Sequence, residues 1–157
     1  MEKLLKYSMI LALLVFAVPQ DSQAQCNDQL LDKPAGLLEE FTYLRDFRAK
    51  LKKGKKGKIQ PSAQYSLIMN KGTKYRFITN SAAEFTGHIV FELYDRRGKL
   101  ISSFDAYKEK HYDVVDITCK ATGVHKVVLT MADAEEGCGV VVLGFSERKS
   151  SYERYLE

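Results

Sequence analysis

The chain has no tryptophan, only three cysteines in 157 residues, and no long hydrophobic run. Its longest apolar stretch, Met9–Val18, is ten residues, about half of the ~20 that a membrane-spanning helix needs. The motifs of several enzyme and ligand classes are also missing. No His-Glu-x-x-His or Cys-x-x-Cys occurs, so no local zinc motif is present. Gly54-Lys55-Lys56-Gly57-Lys58 lacks both the glycine spacing and the Ser/Thr of a phosphate loop. Gly144-Phe145-Ser146-Glu147-Arg148 fails the nucleophile-elbow pattern at its last position. These absences remove the usual sequence signals of catalysis, and a non-enzymatic protein is expected.

What is present begins with an export signal. Lys3 and Lys6 precede the apolar stretch, Pro19 ends it, and Ser22-Gln23-Ala24 offers small residues at a cleavage position. This pattern is that of a signal peptide over residues 1–24. It predicts a secreted mature chain of 133 residues from Gln25, with no transmembrane segment and enough length for one domain with one core. The destination is periplasm, cell surface or medium.

Export places Cys26, Cys119 and Cys138 in an oxidising compartment. Cys119 and Cys138 stand near the ends of two predicted strands. Their pairing would close a loop of about 20 residues and contribute about 3 kcal/mol by chain entropy. A Cys119–Cys138 disulfide is therefore expected, with Cys26 free or pairing between molecules. Lipidation of Cys26 is disfavoured, because Gln23 and Gln25 replace the Leu and the Gly/Ala of a lipobox.

Charge is unevenly placed. Residues 45–58 hold eight Lys/Arg against Asp46, a net +7, whereas the whole chain is +4. The basic run covers Lys50–Lys58. Its Gly/Lys composition predicts an extended linker over residues 54–62. Lys52, Lys53, Lys55, Lys56 and Lys58 are candidate contacts for a polyanion. Nucleic acid is not expected, since no aromatic residues interleave the lysines for base stacking.

Before this run, Leu37, Leu38, Phe41, Leu44, Phe47 and Leu51 recur at spacings of three and four. That period predicts an amphipathic α-helix over 35–53, within an N-terminal segment 25–53, with Pro34 at its entrance. From Tyr65 the period changes to two, and seven strands are predicted: Tyr65–Asn70, Lys74–Thr79, His88–Tyr94, Leu100–Phe104, Tyr112–Cys119, Val124–Met131 and Gly139–Phe145. The gaps between them are too short for parallel crossovers. The fold class expected is all-β: an antiparallel sandwich of about seven to nine strands over residues 63–146, preceded by one amphipathic helix and followed by a polar tail, 147–157. The unbroken Val-Val-Val-Leu of the last strand predicts burial on both faces. The expected core is Leu67, Phe77, Ile89, Phe91, Leu93, Val115, Ile117, Val127, Leu129, Val140 and Val142.

The segments YSLIMNKGTKYRFIT, IVFELYDRRGKLISS, KATGVHKVVLTM and GCGVVVLGF together resemble the bacterial pre-peptidase C-terminal (PPC) β-sandwich over about residues 63–146. The resemblance implies a jelly-roll-like sandwich and a non-catalytic accessory role in a bacterial envelope. Some such domains bind calcium or polymers, but no ligand residues carry over, and no peptidase precedes the domain.

The functional expectation is a secreted, non-enzymatic binding or accessory module whose partner is an envelope protein or glycan. Two alternatives accompany it. One is a carbohydrate- or calcium-binding module, using Tyr94 and Tyr112 as a stacking platform or the acidic turn Asp133–Gly137 for the ion. The other is polyanion binding through Lys50–Lys58. No cofactor beyond calcium is expected. His88, His111 and His125 are each read as strand-edge or surface residues.

Overall fold

The computed structural model describes residues 28–52, 62–95, 97–105 and 107–146. Its ten strands are β1 (Thr42–Leu51), β2 (Ala63–Met69), β3 (Lys74–Ser81), β4 (His88–Tyr94), β5 (Leu100–Ser102), β6 (Phe104–Asp105), β7 (Lys110–His111), β8 (Val114–Thr118), β9 (Gly123–Ala132) and β10 (Gly137–Ser146). One sheet has the order β1-β10-β3-β8 and the other β2-β9-β4-β5, with β6 and β7 as a separate two-stranded ribbon. Every pairing is antiparallel.

The eight longer strands pair first with last, second with seventh, third with sixth and fourth with fifth. This is a long antiparallel ribbon rolled on itself, the jelly-roll connectivity. Consecutive strands among these eight therefore mostly cross between sheets; of them only β4 and β5 form a hairpin within one. Asp95 accepts from the Arg97 and Lys99 amides in that hairpin turn, and Gly98 takes φ +75°.

The core lies between the sheets. Phe77 of one stacks on Phe91 of the other at 4.8 Å, beside Leu67, Ile89, Leu93, Val127, Leu129 and Leu143. Ten of the eleven expected core residues are buried, and Val115 is half-buried against the others. Val140 and Val142 belong, with Ile78 of β3, to a second cluster on the outer face of the β10 sheet, under Leu38 and Phe41. This is why β10 is apolar on both faces.

The N-terminal expectation needs correction. A helix does precede the sandwich, but α1 is one short turn, Asp32–Gly36, following a 3-10 turn at Asp28–Leu31. Residues 42–51, placed by their spacing on an amphipathic helix over 35–53, are strand β1. The sandwich thus begins before residue 63. Two facts explain the misreading. Phe47, Ala49 and Leu51 are buried in alternation, a period of two. Leu44, which completed the helical stripe, is the extra residue of a β-bulge between Tyr43 and Arg45 and is exposed. The decisive force is tertiary: without β1, apolar β10 would be an uncovered sheet edge. Leu38 and Phe41 still pack as apolar anchors, now laid across the outer face rather than on a long helix.

Arg76 of β3 fastens this covering layer. Its guanidinium donates to Asp116 at 2.8 and 3.0 Å, to Glu39 at 2.6 Å and to the Leu37 carbonyl at 3.2 Å, and it stacks on Phe41 at 4.3 Å. The Arg76 hydrogen bond, outweighing desolvation, holds the Asp116 carboxyl below the usual carboxylate range.

Candidate functional site

The jelly roll has two ends, and the chemistry-bearing residues divide between them. At one end lie the turns 70–73, 95–99 and 119–122. Between the β4–β5 hairpin and the β8–β9 turn a cavity of about 720 Å³ opens, lined by Met69, Leu93, Ile101, Ile117, Cys119 and His125. Met69, Leu93 and Cys119 are buried and give it an apolar floor, beside the buried imidazole of His125. Arg97, Lys99, Lys120 and Asp95 belong to its rim. The Asp95 carboxylate is engaged by backbone amides, the largest cause holding its pKa below the usual range being the Lys99 amide. The rim thus presents three cations whose one nearby carboxylate is already occupied. A volume of this size is in the range of small-molecule sites. The cavity exists because β5 and β8 are both edge strands, so the sandwich is open along that side. The opposite side is closed by Phe47 against Tyr65, whose hydroxyl donates to the Arg48 carbonyl.

At the other end, His88, His111 and Asp133 converge. Each offers one ligand atom, and the three atoms lie within 4.8 Å of one another; no other such group of His, Cys, Asp or Glu occurs among the described residues. Asp133 Oδ2 is 3.5 Å from His111 Nε2 and 3.9 Å from His88 Nδ1. The His111 ring is held between His88 at 4.7 Å and Phe104 at 4.6 Å, and its Nδ1 is buried without a hydrogen-bond partner. Three separate elements supply the residues: β4, the β6–β7 ribbon and the β9–β10 turn. Gly87 permits their approach, since a Cβ there would stand 2.4 Å from the Ala134 Cβ.

The residues singled out from sequence fare differently. Cys119 is a free, buried thiol whose Sγ donates to the Ala121 carbonyl at 3.1 Å, so the expected Cys119–Cys138 bridge does not form. The reason is topological. β9 separates the two cysteines, and its ten residues carry them to opposite ends of the sandwich, roughly 30 Å apart. A disulfide needs Cα atoms within about 7 Å. Cys138 is buried at the start of β10; Cys26 lies outside the described residues.

Tyr94 and Tyr112 do not form one platform. Tyr94 closes β4 at the cavity end, whereas Tyr112 follows His111 at the far end, about 20 Å away along β4. Each ring carries its own lysine, Lys126 at 4.8 Å and Lys110 at 5.1 Å. Lys52 is exposed just beyond β1, and Lys53, Lys55, Lys56 and Lys58 lie outside the described residues, as do the signal peptide, residues 54–61 of the linker 54–62 and the tail 147–157. The acidic turn brings only Asp133 into a ligand cluster, and its neighbours there are imidazoles, not the oxygens calcium prefers.

Sequence reasoning read the three histidines one at a time. His88 and His111 are 23 positions apart, and no linear spacing rule joins them. The cavity likewise depends on which strands are edges. Among the described residues no helix is long and apolar enough to cross a membrane. Compared with known proteins, the chain matches no family model and no curated protein.

Proposed function

We propose that this chain is an exported, non-enzymatic binding module of a bacterial envelope, and that its ligand is a small anionic amphiphile: an apolar chain ending in a carboxylate or phosphate. One observation carries the reading, the cavity between β5 and β8 with its apolar floor and cationic rim. An apolar tail would be buried against Met69, Leu93 and Ile117, worth about 0.8 kcal/mol per methylene. The head group would meet Arg97, Lys99 and Lys120 at the mouth. The leader-like N-terminus supports export, and the PPC-like turn and strand patterns support an accessory role.

The test is titration with a dansylated undecanoic acid, followed by its fluorescence. Saturable micromolar binding is expected. The double variant Lys99→Glu, Lys120→Glu should weaken it roughly tenfold or more, about 1.4 kcal/mol of lost charge complementarity. Both lysines are exposed, so the fold is expected to survive the change. Absence of saturable binding, or binding indifferent to the charge reversal, would overturn the proposal.

A further inference from the structure

We propose that His88, His111 and Asp133 form a binding site for a divalent transition-metal ion of the zinc class, at the end of the jelly roll away from the cavity. Imidazole and carboxylate ligands suit zinc, copper(II) and nickel, and three protein ligands leave coordination positions for water or a second molecule. The spacing is the first argument. The Asp133 oxygen stands 3.5 and 3.9 Å from the two ring nitrogens, too far for good hydrogen bonds. The three groups thus face one another without satisfying one another. With no side of the triangle above 4.8 Å, an ion at its middle is at most roughly 2.4 Å from each corner, a few tenths of an ångström beyond zinc–ligand distances of about 2.0–2.2 Å.

The backbone also places Asp133, which adopts φ +61°, a left-handed conformation that Asp tolerates more readily than most residues. The close packing of Gly87 on Ala134 holds this turn beside β4. The second argument is ring placement. His111 is fixed by Phe104 and has no polar partner for Nδ1, so Nε2 is its one ring nitrogen facing a polar group. His88 now lies nearly parallel to it, 20° between planes. To aim both lone pairs at one ion the His88 ring must turn, and with its side chain 57% exposed it has room to do so.

The experiment uses the full processed chain without an affinity tag, stripped with chelator and titrated with Zn²⁺ by calorimetry and with Co²⁺ by visible absorption. One ion per chain is expected, with cobalt d–d bands and no charge-transfer band from a thiolate. His88→Ala should weaken binding at least tenfold. Asp133→Asn should do the same, whereas Asp133→Glu should retain part of the affinity. His88 is exposed, and thermal melting of the metal-free variant should match the parent, which separates ligand loss from misfolding. The anionic-amphiphile titration should be unchanged in His88→Ala, so the two sites stand or fall separately. Absence of saturable binding at about 100 µM Zn²⁺, or binding that His88→Ala and Asp133→Asn leave intact, would overturn the site. A thiolate band would do so as well, by assigning the metal to a cysteine.

Discussion

Replacing Arg76 with methionine keeps much of the side chain's apolar length and removes its charge. The variant loses the two-pronged pair with Asp116, the bond to Glu39, the bond to the Leu37 carbonyl and the stacking on Phe41. Arg76 is well shielded, its side chain 13% exposed, whereas Glu39 is 62% exposed. The Asp116 pair is therefore the main contribution, about 1.5–3 kcal/mol for hydrogen bonds to a charged group. The cation–π contact adds about 0.5–1 kcal/mol, and the exposed Glu39 pair adds less than about 1 kcal/mol. A total near 3 kcal/mol corresponds to a fall in Tm of about 10 °C for a domain of this size.

The loss should depend on pH in a definite direction. Asp116 has a lowered pKa in the folded state, so its pairing contributes stability above the unfolded value of 3.8 and loses it as pH falls through the folded value. Calorimetric melting of parent and Arg76→Met from pH 7 down to pH 2.5 should show a constant gap down to about pH 4–5, then a narrowing one. A fall in Tm under about 3 °C at pH 7, or a gap that stays constant to pH 2.5, would refute the assignment of Arg76 as the clasp of the N-terminal layer.

Two further outcomes follow from the packing. Alkylation of the non-reduced protein should modify the buried Cys119 only after denaturation, and a Cys119–Cys138 linked peptide in the mass spectrum would contradict the topology. Gly139→Ala should destabilise by about 1–3 kcal/mol in urea melts, because the new Cβ would stand 2.6 Å from the Ile89 Cβ across the core; an unchanged midpoint would show that the sheets yield at this point.

The longer strands from β2 onward are legible because half-buried strands write their burial into a period of two, whereas the short β6–β7 ribbon falls largely in what the sequence presents as a gap, 105–111. His88–Tyr94 and the Asp95–Lys99 turn emerge with the boundaries that alternation and turn chemistry imply. β1 is not legible, because its bulge at Leu44 restores a helical spacing and because its partner β10 is more than 80 residues away. The three-residue site is illegible for a related reason: each member is an unremarkable surface residue until the roll brings β4, the β6–β7 ribbon and the β9–β10 turn together.

Alternation, turn residues and apolar content by themselves determined that this chain builds antiparallel layers and many of the side chains that line their interior, since these signals act between near neighbours. Which strand borders which, and hence where the open edge, the unpaired thiol and the His88–His111–Asp133 cluster lie, was decided only in the folded molecule. Those outcomes depend on pairings between segments far apart in the chain, and on the need of β10 for an apolar cover on both faces and a partner at its edge.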